Sequence, residues 1–324
     1  MSALTQRIGA ALGSLRKTVP WLLAAASVPS VVRLVGDRGM PWAVMLTAVL
    51  PLMVPILVVL TLIAALLRNR DAMVAGLVVL GLNAMWLAPL WISDDPPRSG
   101  TKIVAMTLNM RYGLAAPSKI VDQVEANKVE LLALTELTPQ AVSTLQADGL
   151  NRLLPYQVLS PGDHAHGSGL WSRWPLTRGP DWNGVHHMPG ATARIDGQDV
   201  VIRVVHPFRT SRFTAVAYRR DYRALTAHAK SLDPSTPSIM MGDFNAGRDQ
   251  QAFRTLMGSR WRDAPEYAGS GFTPTWNWWT FLPPVLSLDH VLISRQFGAT
   301  RTATFRAPGS DHHGLIAWLV LRPV

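Results

Sequence analysis

The chain has 324 residues, 48% of them hydrophobic and 16% charged, which is enough for one large or two ordinary domains with full cores. It contains no cysteine, which excludes disulfides and thiolate metal sites and suits an extracytoplasmic domain. The net charge of +10 is compatible with a phosphate-bearing substrate or with lipid headgroups, and no run of five or more basic residues indicates anything stronger.

Two long uncharged stretches dominate the first hundred residues. Residues 40–67 and 72–93 both exceed the roughly 20 residues that a helix needs to cross a bilayer, and neither has the polar face of a soluble core helix. Pro51 and Pro55 predict a kink in the first stretch. A shorter segment, residues 20–35, contains two prolines and an arginine and either spans the membrane or lies in its interface. We therefore expect two or three membrane-spanning helices.

The number of spans decides the topology. With three spans the following domain lies opposite the N-terminal tail, and with two it lies on the same side. The basic residues that flank the stretches do not settle this question. We expect a multi-pass protein of the cell membrane whose C-terminal domain is extracytoplasmic, the placement that the lack of cysteine suits.

A polar segment with proline and glycine, residues 93–100, marks the end of the membrane region. We predict a membrane region over residues 1–95, a linker over residues 96–101 and a soluble domain over residues 102–324.

The soluble domain alternates apolar strands with a few helices. Helices are predicted at residues 118–127, 139–148 and 218–232. The predicted strands carry the sequences KIVAMTLNM, ELLALTEL, YQVLS, GSGLWS, ATARI, DVVIRVVH, SIMMGDF, SLDHVLIS, TRTATFRA and GLIAWLVL. About ten strands with so few helices predict an α/β (α+β) fold in which two sheets pack face to face under helices, not a doubly wound parallel sheet.

Polar residues recur where the apolar strands end. They are Asn109, Glu136, His206, Asp243, Asn245, Asp289, Asp311 and His312. A rigid sheet can present such side chains to a common cleft, because its own backbone stays paired. Each residue alone is typical of a turn, a solvated strand end or a core histidine. Together they supply oxygen ligands for Mg²⁺ or Mn²⁺ and imidazoles for proton transfer, so the set predicts a divalent-metal site.

Other hydrolase signatures are missing from the sequence. There is no G-x-S-x-G elbow, no P-loop, and no H-x-x-x-H pair or cysteine cluster that would favour zinc. Two histidine pairs, at residues 164 and 166 and at residues 186 and 187, lie in polar stretches flanked by glycine or proline, which predicts loops.

Seven motifs occur in one order between Lys102 and Leu321: TLNMR, LTE, GSGLWSRWPL, VVHPF, GDFNA, SLDHVLIS and SDHHGL. In these motifs the chain resembles the endonuclease/exonuclease/phosphatase superfamily, which includes deoxyribonuclease I, apurinic endonucleases, bacterial sphingomyelinases and inositol polyphosphate 5-phosphatases. The resemblance implies a four-layer sandwich of two mixed sheets between outer helices, with the site at one end.

The resemblance also implies a metal site. Glu136 resembles the family's principal metal ligand, and Asn109 and Asp311 resemble residues that help to hold the Mg²⁺ or Mn²⁺ ion or its water. Arg173 matches a common family arginine, for which a contact with substrate and a purely structural role are both open.

Five further residues resemble the family's catalytic set. Asp243 and Asn245 resemble the pair that orients the attacking water and the scissile phosphate. Asp289 resembles the carboxylate that holds the terminal histidine, here His312, and His206 resembles the second phosphate-facing histidine. The sequence does not decide whether His312 or Asp243 is the formal base.

An aromatic loop over residues 273–284 lies just before Asp289 and contains Trp276, Trp278, Trp279 and Phe281. Such a loop either walls the substrate cleft, dips into lipid headgroups or caps the core of the sandwich. Of its aromatic residues, Trp276 is our candidate for contact with substrate.

We therefore expect a membrane-anchored, Mg²⁺- or Mn²⁺-dependent phosphodiesterase or phosphatase. Tethering suits a phospholipid or sphingolipid headgroup, because it raises the effective concentration at the bilayer. Nucleic acid is the other substrate class, although we identify no interleaved basic and aromatic stretch that would mark its groove. The alternative is a non-catalytic membrane receptor with the same fold, against which every matched position retains a competent residue. No protein partner is predicted.

Overall fold

A computed structural model describes residues 3–180, 182–277 and 282–323 of the chain. The chain forms two compact units. The first comprises residues 1–88 with the short segment 249–251, and the second comprises residues 89–248 and 252–324.

The first unit is helical. Its helices are α1 (Ala3–Val35), α2 (Pro41–Ala48), α3 (Leu50–Leu66) and α4 (Arg70–Leu87). Apolar residues of α1, α3 and α4 form its core, and Asn83 of α4 donates a hydrogen bond to Ser30 of α1 at 2.9 Å. Residues 6–35 and 70–90 form helices long and apolar enough to cross a membrane, and α2 with α3 makes a third candidate if this bent pair is one span.

Two of the predicted membrane segments differ from the helices that the structure shows. The stretch 40–67 is broken into α2 and α3, which meet at an angle of 62°. Pro51 explains the break, because it lacks an N–H and its ring excludes the carbonyl one turn earlier. The segment 20–35, predicted as the weakest, is part of the continuous helix α1, which extends back through the charged residues to Ala3.

The second unit contains twelve strands within the described residues. They are β1 (Thr101–Asn109), β2 (Leu131–Thr135), β3 (Tyr156–Ser160), β4 (Ser168–Ser172), β5 (Leu176–Arg178), β6 (Gly190–Ile195), β7 (Gln198–Val205), β8 (Ser238–Asp243), β9 (Trp261–Asp263), β10 (Asp289–Ser294), β11 (Phe297–Arg306) and β12 (His313–Leu321). Its helices are α5 (Pro117–Asn127), α6 (Pro139–Ala147), α7 (Leu150–Leu153), α8 (Ala215–Ser231), α9 (Gln251–Met257) and α10 (Ala264–Tyr267), with a 3₁₀ turn at Ala88–Leu90.

The local sequence explains where α6 begins and which face of α8 is buried. Pro139 opens α6 at a position that needs no N–H donor, and the Thr138 hydroxyl caps the helix by accepting from the Ala141 N–H at 3.2 Å. Along α8, the buried residues Tyr218 and Tyr222 lie one turn apart, so they form one apolar face against the sheet.

The strands form two six-stranded sheets with matching order. The first runs β11-β12-β1-β2-β4-β3, and the second runs β5-β6-β7-β8-β10-β9. In each sheet the two central strands, β1 with β2 and β7 with β8, are parallel, and the other neighbours are antiparallel. The two parallel pairs therefore occupy equivalent positions in the two sheets.

The strands alternate between two cores. In β1, Ile103 and Ala105 belong to the core between the sheets, whereas Met106 and Leu108 pack with the residues of α5 and α6. The second sheet packs against α8 and α9 in the same way. Helices therefore cover both outer faces, and the predicted four-layer sandwich of two mixed sheets is confirmed.

At one end of the sandwich the inward-facing positions become polar. The alternation that buries apolar side chains between the sheets continues to Asn109, His206, Asp243 and Asp289, all of which are buried. Period-two patterning thus delivers four polar side chains to one place between the sheets.

Candidate active site

Glu136 follows β2 in a left-handed backbone conformation, with φ at 54°. This conformation is unfavourable for a residue with a Cβ and persists where the surroundings hold it. Here its carboxylate accepts hydrogen bonds from the Asn109 side chain at 3.1 Å and from the Tyr112 N–H at 2.9 Å. The side chain is only 14% exposed, so the carboxylate is fixed at the edge of the site.

Asn109 links the two sheets. Its side-chain N–H₂ group donates to Glu136 and, at 2.9 Å, to Asp243, while its Oδ1 accepts from the Arg111 N–H at 2.8 Å. Reversing the amide would place its oxygen against two carboxylates, so these partners fix its orientation. In this geometry Asn109 orients the two carboxylates, and its expected role in helping to hold the cation or its water stays a prediction.

Asp243 ends β8, and its carboxylate accepts from the Asn245 N–H at 2.7 Å. The Asn245 side chain in turn donates to the Pro207 carbonyl at 3.0 Å, which ties this turn to the end of β7. Gly242 permits the close pairing of β8 with β7, because a Cβ there would lie 2.1 Å from the Val205 carbonyl oxygen.

His312 and Asp289 form a buried pair. The His312 Nδ1 lies 2.7 Å from Asp289 Oδ2, and its Nε2 lies 3.8 Å from Asp243 Oδ2. Because a carboxylate only accepts, Nδ1 carries the proton and Nε2 is directed towards the site. The Thr275 hydroxyl accepts from the Asp289 N–H at 3.1 Å, and the Ser310 hydroxyl accepts from the His312 N–H at 2.9 Å.

His206 lies on the other side of the two carboxylates. Its Nε2 is 3.8 Å from both Glu136 Oε1 and Asp243 Oδ2. His186, which lies in a loop as predicted, stacks on its ring with centroids 4.5 Å apart and donates from Nδ1 to the His206 carbonyl at 3.1 Å. This support was not predicted, because a loop histidine gives no signal of where its loop folds.

Burial and charge shift the pKa values of the site in different directions. Burial raises the pKa of Glu136 and of Asp243, because an ionised carboxylate loses its hydration. Burial lowers the pKa of His206 well below its usual value, and neighbouring histidines add to this effect. Burial alone would lower the pKa of His312 too, but the charges of Asp289 and Asp243 outweigh it and raise the pKa to about 10.

Asp311 and Trp276 lie at the rim of the site. Trp276 donates from its indole N–H to Asp311 Oδ2 at 3.1 Å, and its ring centroid is 6.4 Å from that of His312. Asp311 Oδ1 also lies 3.8 Å from the Arg111 guanidinium. The structure thus brings Trp276 to the site, while Trp278, Trp279 and Phe281 of the predicted aromatic loop lie outside the described residues.

Arg173 is not among the side chains that the fold brings together. Its guanidinium is 65% exposed and lies 3.3 Å from Glu130, at the amino end of β2. Glu136 follows the carboxyl end of the same strand, six residues from Glu130, which is roughly 20 Å at about 3.3 Å per residue. Arg173 thus forms a surface ion pair away from the other candidate residues, and its contact with substrate stays a prediction.

A second buried histidine–aspartate pair lies beside the site and was not predicted. His290 Nδ1 is 2.7 Å from Asp263 Oδ2, and its Nε2 is 3.0 Å from the Ala246 carbonyl oxygen. Both partners are acceptors, so both ring nitrogens carry protons and His290 is an imidazolium. Burial opposes this charge, but Asp263 outweighs it and raises the pKa of His290. The pair fixes the turn that follows Asp243.

The donor set fits a divalent cation. Glu136, Asp243, Asp289 and Asp311 bring four carboxylates to a site where His312 is the buried cation. Asp243, Asp289 and His312 also offer ligand atoms within 4.8 Å of one another, but the direct Asp289–His312 hydrogen bond explains that cluster as a proton network. Glu136 is the better ligand, because the charge of Asp311 adds to the burial that raises its pKa, and a cation would offset both.

Comparison with known proteins agrees with this architecture. A family model described as the endonuclease/exonuclease/phosphatase family matches residues 106–312. No curated protein sequence matches the chain.

Several solved structures share the fold. A humanized TDP2 of D. rerio is 16% identical with a TM-score of 0.54, and the match covers 67% of this chain and 98% of that one. A mannosyl-6-phosphatase of Bacteroides thetaiotaomicron is 16% identical with a TM-score of 0.52, covering 68% and 100% of the two chains. An endonuclease/exonuclease/phosphatase of Beutenbergia cavernae is 17% identical with a TM-score of 0.52, covering 68% and 72%. At these identities the likeness shows the fold alone.

Proposed function

Because this chain belongs to the endonuclease/exonuclease/phosphatase family, we propose that it is a membrane-anchored phosphodiesterase that requires Mg²⁺ or Mn²⁺. One observation carries the proposal: the Asn109 amide holds Glu136 and Asp243 together beside the buried His312–Asp289 pair. Structural residues at strand ends would be solvated, whereas Asp243, Asp289 and His312 are buried and hydrogen-bonded.

Glu136 and Asp311 are the residues that would hold the cation. A bound divalent ion supplies positive charge that offsets the charge developing on phosphate oxygens. Asn109 keeps the Glu136 carboxylate in one orientation, and the Tyr112 N–H occupies its second oxygen. Arg111 beside Asp311 adds a further positive charge at the rim.

The protein's own groups divide the proton chemistry. The raised pKa of His312 favours an imidazolium at neutral pH, whose Nε2–H faces the site and can donate to a phosphate oxygen. The raised pKa of Asp243 makes this carboxylate a better base than an ordinary aspartate, so we assign it the proton of the attacking water. Asn245 fixes the Asp243 carboxylate through its N–H. His206 remains neutral, as its lowered pKa requires.

We propose a phosphodiester substrate and retain two classes for it, nucleic acid and a lipid headgroup. One neighbour by fold, a D. rerio TDP2, was solved with a single-strand DNA product, and another is a mannosyl-6-phosphatase. The apolar helices of the first unit favour a lipid headgroup instead, because anchoring would hold the enzyme at its substrate. Every position that resembles the family's site retains a competent residue, which disfavours a non-catalytic receptor.

We infer that the second unit is extracytoplasmic, from the lack of cysteine in the chain. Protease treatment of intact cells that express the protein with a C-terminal tag tests this placement. Cleavage of the tag is expected, and a protected tag would reverse the assignment.

Hydrolysis by the full chain in detergent tests the catalytic proposal. Turnover of bis(p-nitrophenyl) phosphate, single-stranded DNA, phosphatidylglycerol and sphingomyelin is measured with Mg²⁺, Mn²⁺ or EDTA. We expect metal-dependent cleavage of the generic diester that Glu136→Gln and Asp243→Asn abolish and Arg173→Gln leaves intact. Cleavage that persists in EDTA or in Glu136→Gln would show that the site is wrongly assigned.

A further inference from the structure

A basic and aromatic segment leaves the site at the end of β7. Residues 207–220 contain no acidic residue. They contain Arg209, Arg212, Arg219 and Arg220. Arginines and aromatic residues are interspersed along this stretch. It was not among the motifs identified from the sequence. The segment directly follows His206 of the candidate active site.

The segment exposes apolar side chains to solvent. Phe213 is 80% exposed and Val216 is 73% exposed, the largest values among the large hydrophobic residues that the structure describes in the second unit. Phe213 lies in the turn just before α8, and Val216 is the second residue of α8, so the two exposed side chains are close along the chain. The Arg212 guanidinium lies 4.5 Å from the Phe213 ring centroid, so charge and apolar surface are adjacent.

Hydrogen bonds hold the exposed tip of this segment, residues 209–216, in place. The Thr214 hydroxyl donates to the Arg209 carbonyl at 2.6 Å, and the Ser211 hydroxyl accepts from the Phe213 N–H at 3.2 Å. At its base the Phe208 N–H donates to the buried Asp221 carboxylate at 3.2 Å. The exposure of Phe213 is therefore a property of an ordered loop, and a preordered apolar tip loses little entropy on docking.

The loop is also connected to the site by stacking. The Phe208 ring lies 4.1 Å from the His186 ring, and His186 stacks on His206 at 4.5 Å. These ring contacts link the base of the segment to His206, whose Nε2 faces Glu136.

We propose that the loop formed by residues 209–216 docks on an anionic phospholipid surface, with Phe213 and Val216 in the interface and Arg209 and Arg212 at the headgroups. An apolar tip flanked by arginines has the chemistry of an interfacial membrane contact. A single-stranded nucleic acid is less well matched, since stacking of successive bases uses several exposed aromatic rings. Phe208 stacks on His186, and Tyr218 is buried, which leaves the aliphatic Val216 as the neighbour of Phe213.

The docking surface has a consequence for the substrate that rests on the proposed function. A phosphodiester presented by the same surface would be that of a lipid headgroup. The docking itself is independent of turnover, and the test below is done in the Glu136→Gln variant for that reason.

Site-specific spin labelling tests the docking on the full chain. Because the chain has no native cysteine, Val216→Cys in the Glu136→Gln background can carry a single nitroxide without the removal of any other thiol. Ala227→Cys, an exposed position farther along α8, is the matched control. The labelled proteins are reconstituted into phosphatidylcholine or into an equal mixture with phosphatidylglycerol. Collision of the label with oxygen and with a water-soluble nickel complex is then measured by electron paramagnetic resonance.

In the anionic bilayers we expect the label at residue 216 to gain exposure to oxygen and to lose exposure to nickel, while the label at residue 227 stays aqueous. Replacing Arg209 or Arg212 by Gln should lower the ratio of docked to undocked protein by about fivefold for each charge. Phe213→Ser should lower it further, and a surface position tolerates this change without unfolding.

Equal nickel exposure at residues 216 and 227 in the anionic bilayers would overturn the proposal. Protection of residue 216 only after oligothymidylate is added would also overturn it and would identify a nucleic-acid surface. Docking without hydrolysis of any lipid by the unmodified enzyme would leave the docking surface intact and refute only the lipid form of the proposed function.

Discussion

Two buried histidine–aspartate pairs meet at β10, which contributes Asp289 to one and His290 to the other, and they differ in what the second ring nitrogen of the histidine contacts. Both have a distance of 2.7 Å between Nδ1 and a carboxylate oxygen. The Nε2 of His290 is bound to the Ala246 carbonyl, whereas the Nε2 of His312 faces Asp243 at 3.8 Å, beyond hydrogen-bond range. We call the His290–Asp263 pair closed, because both ring nitrogens are bound within the fold and the pair stabilises a turn. We call the His312–Asp289 pair open, because its Nε2 faces the site and can contact a substrate.

The difference teaches that a buried ion pair is not by itself evidence of catalysis. In both pairs an aspartate raises the pKa of the histidine against the effect of burial. What separates them is whether the second ring nitrogen has been used within the fold. Each of the following predictions tests one aspect of this distinction.

The largest effect is expected at His312. Glutamine at this position can still donate to Asp289 but cannot carry a titratable proton at Nε2, so we expect kcat for a phosphodiester to fall by about 10³-fold. His290→Gln is the matched control and should keep kcat within about tenfold. Steady-state kinetics on the full chain measures both, and similar losses in the two variants would remove the distinction between open and closed pairs.

Breaking the closed pair should act on stability. His290→Leu leaves Asp263 buried and unpaired, which we expect to lower the free energy of unfolding by about 3–5 kcal/mol. A second substitution, Asp263→Leu, should restore most of this loss because it removes the uncompensated charge. Urea unfolding followed by tryptophan fluorescence measures the cycle. A loss below about 1 kcal/mol in the single variant would mean that His290 is not charged.

The stability due to His290 should depend on pH in a defined direction. Its pKa is raised in the fold above the usual value near 6.5, so its contribution is complete below pH 6.5 and is lost as the pH rises through the folded pKa. Each tenfold gain in the proton affinity of the imidazole on folding contributes about 1.4 kcal/mol. The gap in unfolding free energy between the unmodified protein and His290→Gln should therefore narrow at high pH. A gap that widens with pH would contradict the assignment.

Removing a site carboxylate should stabilise the protein while inactivating it. Burial raises the pKa of Glu136 in the fold, so its ionised form is unfavourable, and this effect grows as the pH rises through the unfolded value near 4.5. We expect Glu136→Gln to gain about 1 kcal/mol at neutral pH without metal, and to show no gain at about pH 3. Thermal unfolding checks this, with Mg²⁺ or Mn²⁺ expected to stabilise the unmodified protein but not the variant.

The smallest effect is expected at an exposed pair. Arg173 and Glu130 form an ion pair at the surface, where water screens the attraction. Arg173→Gln should change the free energy of unfolding by less than about 0.5 kcal/mol and leave kcat unchanged. A large loss of kcat would return Arg173 to the substrate, as the family resemblance allowed.

Much of the sandwich follows from period-two alternation, which a single sequence displays. The same alternation explains why Asn109, Asp243 and Asp289 converge, since each continues an inward-facing row of apolar residues. The short elements β5, β9 and α10 were not predicted, because three or four residues are too few to show a period.

Other features depended on contacts that no local pattern encodes. Arg173 lies at the amino end of β2, away from Glu136, because of the direction in which its own strand runs. The stacking of His186 on His206 depends on where the loop that contains His186 folds. The orientation of the Asn109 amide likewise depends on its hydrogen bonds to Glu136 and Asp243, which come next to it only in the folded protein. The kink near Pro51 could be predicted because it depends on a local property of proline, and the structure has a full break there between α2 and α3.

The pairing of β12 with β1 has a consequence for the order of events in synthesis. Leu321 lies opposite Thr101, and Asp311 and His312 come just before β12. A growing chain therefore exposes β1 and β2 long before the strand that completes their sheet has been made, and contacts so distant in sequence form late. Until residues 311 and 312 have been added and β12 has paired with β1, the candidate site lacks both Asp311 and His312, so the proposed hydrolysis cannot begin before this last strand is in place.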